Sequence, residues 1–528
     1  MSAGPDVASR ELVSVDPATL VELARVAVTQ PEELAEIMAE ARLAQEAFSR
    51  EPLEKRSRLL EDVMHVLVAD ADEIARTISS ETGKPLAEAY LHDLLVAADA
   101  CRWHADNLGR VLGEERLPFP QLVLRHKRGA LRYEPLGVVG IITPWNFPFA
   151  IPVRQAVTAV AAGNAAIVKP SELTPLSGAW VEEVFRRAGA PAGLVRVVQG
   201  AGDVGEALVR HRAVAAIVFT GSVEVGRSVA QAAAARLCPT VLELGGKDAM
   251  LVLDDADLDR AVAGAVWGSF TNCGQACAGI ERIAVPSGLH DTFVERFATK
   301  ARELRIGHGL DRATDLGPLV SESQRSRFEG LVASAVEHGA GLVTGGRRPV
   351  TGLPGWFHEP TLLLGEPRGA RLTDEEIFGP AAVVVRSDND HDMVRWVNDS
   401  RFAFGASVWT RDRDRARAIA ARLETGSVWH NDHAYSFGAT QAPWGGRKAS
   451  GVGRIGSRHG LYALSHVKLV DADRAWLTPG WWYPYGDRAV DGLRGLLGAL
   501  YADGLRSRAR AVASHRRGLA HLVRKSLR

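Results

Sequence analysis

The spacing of apolar positions changes character along the chain, and those changes divide it. Over 31–50 the residues Leu34, Ile37, Met38, Ala41, Ala44, Ala47 and Phe48 recur at helical spacing with charges between them, which predicts an amphipathic helix. Two more helices follow over 53–79 and 86–112. From 137 the rhythm becomes short apolar runs separated by helical stretches. The runs 137–143, 165–169, 195–199, 215–220 and 241–244 read as buried parallel strands, and 151–162, 175–189, 203–211 and 223–236 as the crossover helices between them. The same alternation resumes after 248. Strands are expected over 249–253, 282–286, 381–386, 405–409 and 427–430, and helices over 256–271, 288–304, 321–338, 389–398 and 412–424. Such alternation predicts the α/β class with doubly wound sheets, and two successive units fit the length better than one oversized sheet. Residues 121–136 read as a hairpin turning near Arg128-Gly129, and 465–471 as a lone late strand. Together they make a small sheet with exposed edges, and such edges seek partners.

Composition narrows the class. A chain of 528 residues suggests about three packed units. Lys plus Arg equals Asp plus Glu, 63 against 63, so no global field favours nucleic acid. Four cysteines cannot build a disulfide scaffold and point to a reducing compartment. Met1 to Arg10 has no apolar core of the signal-sequence kind. No run of about 18 apolar residues is present to cross a membrane. The expectation is a cytoplasmic protein.

The candidate chemistry sits in a few glycine-rich segments. Asn272-Cys273-Gly274-Gln275-Ala276-Cys277 offers a thiol in a glycine-bracketed turn, and Glu243-Leu244-Gly245-Gly246-Lys247 a carboxylate beside two more glycines. These are the parts of a covalent thioester mechanism, a nucleophile and a base that later activates water. A lone cysteine is more often a small core residue, and a strand-end carboxylate more often faces solvent. For Glu243 the glycines argue otherwise, because they let the backbone pass close to a ligand. A free thiol, with a pKa of ~8.5, needs help to ionise, and backbone amides around Gly274 and Ala276 are placed to give it. Cys273 and Cys277 lack nearby histidines, a poor zinc site, so Cys273 reads as a bystander and no metal is expected. Asn146 lies in Thr143-Pro144-Trp145-Asn146-Phe147-Pro148, directly after a strand, either as a turn residue or as an amide donor to a developing oxyanion. Lys169-Pro170-Ser171-Glu172 follows the second strand, where open α/β sheets bind nucleotides. Phe219-Thr220-Gly221-Ser222-Val223-Glu224-Val225-Gly226 opens a helix whose N-terminus can face a pyrophosphate, although it is not the G-x-G-x-x-G fingerprint. In Glu375-Glu376-Ile377-Phe378-Gly379-Pro380 the aromatic residue is either core or part of a loop at a site, and the Gly-Pro after it favours the loop.

In their order and spacing these segments resemble the aldehyde dehydrogenase superfamily, over roughly residues 30–475, and in particular bacterial succinate-semialdehyde and broad-specificity aldehyde dehydrogenases. The resemblance implies a Rossmann-like NAD-binding domain over 1–120 and 142–245, and a catalytic domain with the nucleophilic cysteine over 246–449. It further implies an oligomerisation β element over 121–141 and 465–475, followed by an extension over 476–528. It assigns Cys277 as nucleophile, Glu243 as the base for hydrolysis, and Asn146 with the Cys277 N–H as oxyanion donors. Trp145, Lys169, Glu172, Gly221, Ser222, Gly226, Leu244, Glu376 and Phe378 then hold the cofactor. A carboxylate at 172 would repel a 2′-phosphate, which favours NAD over NADP. A homodimer or homotetramer is implied. Where the family usually continues Lys-Ser/Asn-Pro, this chain has Lys247-Asp248-Ala249, a departure that touches the following turn. Glu243 favours hydrolysis over acyl transfer to coenzyme A, and Cys277, Glu243 and Asn146 together argue against a catalytically silent relative.

The same resemblance lines a substrate tunnel with Ile151, Arg154, Ala276, Ala278 and the loop Tyr435-Ser436-Phe437 before Trp444. Arg154 matches an arginine that meets the substrate carboxylate in succinic-semialdehyde oxidisers, but their second arginine is replaced by Thr271. Arg154 is therefore either half of a clamp or a helix-face cation turned to solvent or to a structural carboxylate. Small Ala276 and Ala278 leave room for a medium-chain, long-chain or aromatic aldehyde, so both substrate classes stay open. Beyond the family's usual end comes Trp481-Trp482-Tyr483-Pro484-Tyr485, and residues 486–528 carry ten Arg/Lys against three Asp, a net +7. Val490, Leu493, Leu497 and Leu500 fall at helical spacing, as do Leu519, Leu522 and Val523. This is a basic amphipathic segment for an anionic membrane, as a fatty aldehyde oxidant would use, or for a neighbouring subunit.

Overall fold

The short apolar runs become the strands of two largely parallel sheets. The structure, a computed structural model, describes residues 11–121, 124–367, 369–474 and 478–527. The signal-sequence reading of Met1 to Arg10 lies outside them. The first sheet has six strands in the order Gly451–Val452, Thr240–Glu243, Val214–Thr220, Val138–Ile142, Ala165–Lys169, Val195–Val197. The second has seven, in the order Gly341–Thr344, Thr361–Leu364, Ala381–Arg386, Ile280–Val285, Asp248–Val252, Gly405–Trp409, Ser427–His430. In each, one edge strand is antiparallel, Gly451–Val452 in the first and Gly341–Thr344 in the second. Central strands such as Ala165–Lys169 and Asp248–Val252 are buried at every position, as strands covered by helices on both faces must be. Each sheet carries its own apolar core.

Several expectations are corrected. The helix expected over 53–79 is two, Leu53–Ala69 and Ala71–Thr82, because Asp70 leaves helical geometry between them. The one over 86–112 opens with a wide π turn, Ala89–Leu94, before Leu95–Leu112. The antiparallel pairs Glu11–Val15 with Glu22–Ala27 and Gly341–Thr344 with Thr361–Leu364 were not expected. Val138–Ile142 lies between Ala165–Lys169 and Val214–Thr220, so 138–141 belongs to the first sheet and not to the small β element.

The chain divides into two compact units. One runs to Gly113 and resumes over Tyr133–Val467, and the other takes Glu114–Arg132 and the chain from Lys468 onward. In the second unit no turn forms at Arg128-Gly129. Strand Lys127–Pro135 runs straight through them and pairs antiparallel with Glu115–Leu117, Leu117 opposite Gly129. The reversal falls between Leu117 and Lys127, a stretch with Pro118 and Pro120, of which Leu122 and Val123 lie outside the described residues. The expected single amphipathic segment at the C-terminus is three helices, Asp487–Tyr501, Gly504–Ser514 and Arg516–Ser526. Of the extension expected over 476–528, Trp476, Leu477 and Arg528 lie outside the described residues.

Candidate active site

The turn that carries the thiol is built by its own motif. Helix Leu258–Phe270 ends, and Asn272, Cys273 and Gly274 follow with φ of 52°, 55° and 68°. Three consecutive left-handed residues are strained for side chains other than glycine. Gly274 is required for a second reason, since a Cβ there would stand 2.1 Å from the Gly379 carbonyl oxygen. Side-chain bonds hold the strain. The Asn272 amide donates to the carbonyls of Asn146 and Gln275, both at 3.0 Å, and the Gln275 amide donates back to the Asn272 carbonyl at 3.0 Å. Cys273 is buried within the second sheet's core, as a bystander would be. Cys277, three residues past Gly274, is partly exposed. Its thiol pKa is pushed well up by burial and, beyond that, by the carboxylates of Glu243, Glu376 and Asp248. The help toward ionisation expected from neighbouring amides is thus outweighed, and the resting group is a thiol.

Asn146 is fixed from both sides. Its amide donates to the Gln275 carbonyl at 2.9 Å, and its own carbonyl accepts from Lys84 Nζ at 2.7 Å. Lys84 also pairs with Asp93 at 2.8 Å, both side chains fully buried, and the other Asp93 oxygen accepts from the Phe149 and Ala150 N–H groups. Neither residue was singled out from the sequence.

Glu243 ends a strand of the first sheet, buried, with Oε1 lacking a hydrogen-bond partner. Burial raises its pKa to about 7, against the lowering pull of Arg154 and Arg454. Arg154 is neither solvent-facing nor part of the tunnel wall. It is fully buried, donates to the Phe437 carbonyl at 3.1 Å, and leaves Nε and Nη2 without partners. Asp248, at the family departure, is buried at the start of its strand, accepting from the Gly405 N–H at 2.7 Å, with its pKa raised to about 8 by burial.

Two clefts meet at this point. One is lined by Trp145, Asn146, Ile151, Gly221, Ser222, Glu243, Leu244, Glu376, Phe378 and Cys277. It continues into a groove past Lys169, Ser171, Glu172 and Gly205 to the helix Val223–Ala234. Ser222 caps that helix, its hydroxyl accepting from the Val225 N–H, and both residues line the groove at the helix N-terminus. Gly226 packs against Leu244, and Trp145 meets Phe378 edge-on at 5.5 Å. Lys169 Nζ stands 3.3 Å from Glu172, a donor and acceptor pair suited to ribose hydroxyls. Glu376 accepts from the Gly246 N–H at 2.8 Å. Here too a buried ion pair went unread in the sequence. Lys247 meets Glu281 at 2.9 Å, and Glu281 accepts from the Ile377 and Phe378 N–H groups, tying the Gly245-Gly246 bend to the 375–380 loop. This groove fits a dinucleotide.

The other cleft, about 270 Å³, is walled by Phe147, Trp267, Phe437 and Trp444, with Ala276, Ala278 and Thr271. Phe437 stands 5.2 Å from both Phe147 and Trp444. His92 also lines it, bonded to Thr271 Oγ1 at 2.9 Å, while that hydroxyl donates to half-buried Glu88 at 3.0 Å. Burial pushes the His92 pKa down to about 3, so the ring is neutral. Asp432 is the one charged side chain among the described lining residues, and Ile151 lines the dinucleotide side instead. Cys277 is the one described residue that lines both clefts.

Known proteins share this arrangement of sequence. The aldehyde dehydrogenase family profile matches residues 6–470. A betaine aldehyde dehydrogenase of Mesorhizobium japonicum is 38% identical over 456 residues, covering 86% of this chain and 92% of its own. An NADP(+) succinate-semialdehyde dehydrogenase of Escherichia coli is 38% identical over 417 residues, covering 79% and 85%. The NAD+ complex of an aldehyde dehydrogenase from Bacillus cereus superposes with a TM-score of 0.84 at 31% identity, covering 88% of this chain and 93% of that one. A thiol set between a dinucleotide groove and an apolar tunnel, on a chain alike over nearly its whole length to these enzymes, places the protein in the aldehyde dehydrogenase family, as an oxidoreductase that acts on aldehydes with NAD(P).

Proposed function

We propose that this enzyme oxidises an uncharged apolar or aromatic aldehyde to its carboxylic acid with NAD, using Cys277, Glu243 and Asn146. The position of Cys277 at the junction of the two clefts supports this most directly. The aldehyde carbon enters from the aromatic side and the dinucleotide from the other. Resting Cys277 holds its proton, so the thiol gives it up as sulfur bonds to the carbonyl carbon. Glu243, buried with a free oxygen and a pKa near neutrality, is suited to accept it. An amide nitrogen has two hydrogens. Asn146 spends one on Gln275 and offers the other to the thiohemiacetal oxygen. The bound dinucleotide supplies a hydride acceptor. Once hydride has left the thiohemiacetal carbon to give the thioester, Glu243 releases the thiol proton to solvent. It then takes a proton from water as the water oxygen bonds to the thioester carbon, and returns it to the Cys277 sulfur as the carbon–sulfur bond breaks and the acid leaves.

The tunnel supports an uncharged substrate. Arg154 does not line it, and Thr271 stands where a second arginine would be needed, so a substrate carboxylate meets no cation there. A second reading has one observation in its favour. Asp432 and the rings of Trp267 and Trp444 suit a cationic aldehyde. The test is NADH formation by the parent and Cys277→Ala with benzaldehyde, a medium-chain alkanal, succinic semialdehyde and betaine aldehyde, compared by kcat/KM. Loss of all activity in the variant with a preference for the uncharged aldehydes supports the proposal. A preference for succinic semialdehyde, or a variant as active as the parent, overturns it.

Nucleotide binding is assigned to the first sheet and the covalent chemistry to the second. The carboxylate of Glu172 in the groove favours NAD. The three-stranded sheet edged by Ser465–Asp473, with Val467 and Leu469 exposed, is assigned to contact between copies, giving a dimer or tetramer measurable by light scattering.

A further inference from the structure

The helix Asp487–Tyr501 is folded with its apolar stripe outward. It packs on Arg516–Ser526 through its small residues, and a Cβ at Gly492 would stand 2.4 Å from the Gly518 carbonyl oxygen. Asp491 accepts from His515 at 2.6 Å across the same contact. The large side chains on the other face, Val490, Leu493, Leu497 and Tyr501, remain between 39% and 68% exposed. An amphipathic helix ordinarily buries that stripe. Trp482, Tyr483 and Tyr485, just before the helix, are exposed as well. In Gly504–Ser514 no side chain is buried, and Arg506, Arg508 and Arg510 are all exposed.

We propose that this face of the C-terminal unit docks onto an anionic phospholipid bilayer. Its apolar stripe is bordered by Arg494, and residues 486–528 carry ten Arg/Lys against three Asp. A second copy of the unit would bring the same positive charge to the contact, so self-association is opposed where a negative surface is favoured. Tyrosine and tryptophan at the head of the segment suit the headgroup layer, and exposed aliphatic side chains the acyl boundary below it. Among the described residues no helix is long and apolar enough to cross a membrane, so the association is peripheral. Apolar aldehydes partition into the same phase, but the docking stands whichever aldehyde is oxidised.

The test uses the full chain with vesicles of phosphatidylcholine alone and of phosphatidylcholine with phosphatidylserine, at low and raised salt. Three proteins are compared: the parent, Leu497→Glu with Tyr501→Glu, and Arg506→Gln with Arg508→Gln and Arg510→Gln. Sedimentation of the parent should require phosphatidylserine and weaken with salt, and each arginine removed should lower the affinity by about fivefold. Both variants should oxidise a water-soluble aldehyde as the parent does and keep its mass in solution while losing vesicles. Equal sedimentation of parent and variants, or none with phosphatidylserine, overturns the proposal. A change of oligomeric mass in Leu497→Glu with Tyr501→Glu also overturns it, because the face would then be a contact between copies.

Discussion

The Lys84 ammonium donates to Asp93 at 2.8 Å and to the Asn146 carbonyl at 2.7 Å, joining an ion pair with no solvent contact to the turn that carries Asn146. Asp93 in turn accepts from the first N–H groups around the start of helix Ala150–Ala161. The pair therefore holds both sides of the turn between strand Val138–Ile142 and that helix.

Removing one partner should be costly at two levels. Lys84→Met leaves the Asp93 charge buried and unpaired, which is expected to cost ~3–5 kcal/mol of stability. It also frees the Asn146 turn, so kcat should fall more than KM rises. Asp93→Asn keeps an acceptor for the Phe149 and Ala150 N–H groups and should cost less. Urea unfolding and steady-state kinetics on the two variants check this, and a stable, fully active Lys84→Met would refute the positioning role.

Glu243 is predicted to set the pH dependence. Burial raises its pKa to about 7, and a base works only when ionised, so turnover should climb through about pH 7 to a plateau. Glu243→Gln should lose that limb, lower kcat by ~10²–10⁴-fold and slow the first turnover of NADH as well, because the same carboxylate takes the thiol proton. Stability runs the other way. The folded carboxyl holds its proton more tightly than the unfolded one, so Glu243 costs stability progressively as pH rises from the ordinary carboxylate range to about 7. Thermal melts should show Glu243→Gln gaining on the parent above that window and matching it in acid.

Arg154 is predicted to act on Glu243 and not on the substrate. Its positive charge lowers the Glu243 pKa, so Arg154→Met should move the acid limb of the pH–rate profile upward. Its effect on KM should be alike for succinic semialdehyde and for an uncharged alkanal of similar length. A loss of affinity confined to the semialdehyde would restore the clamp reading.

Much of this site was legible because local pattern and local chemistry coincide in it. Apolar runs such as 165–169 and 381–386 became strands, and the glycine-flanked Cys277 and Glu243 reached one cleft. The stabilising ion pairs were not legible. Lysine and aspartate are usually solvated, and nothing local tells that Lys84 will meet a carbonyl 62 residues away or Lys247 a carboxylate 34 away. The thiol's raised pKa comes first from burial and then from the Glu243, Glu376 and Asp248 carboxylates, whereas its own turn suggested only amides. Arg128-Gly129 looked like a turn by composition, but partners on the neighbouring strand keep it extended. In the C-terminal extension the leucine spacing suggested one amphipathic segment for a membrane or a neighbouring subunit, and nothing local showed that glycines would pack Asp487–Tyr501 on a second helix.

Glu172 is predicted to govern cofactor choice. Its carboxylate is half-exposed at the groove, 3.3 Å from the nearly buried Lys169 ammonium. A 2′-phosphate placed there would face the carboxylate before the lysine. Unit charges about 4 Å apart interact by ~1 kcal/mol in water and ~4 kcal/mol near a protein surface, so the carboxylate should weigh against NADP by about tenfold or more. Glu172→Ser leaves Lys169 unopposed. Its kcat/KM with NADP is expected to rise by about that factor, while kcat/KM with NAD falls as a ribose acceptor is lost. The ratio of the two constants, measured with one aldehyde at fixed ionic strength, is the decisive quantity. If both fall in parallel, Glu172 supports the groove without selecting between the dinucleotides.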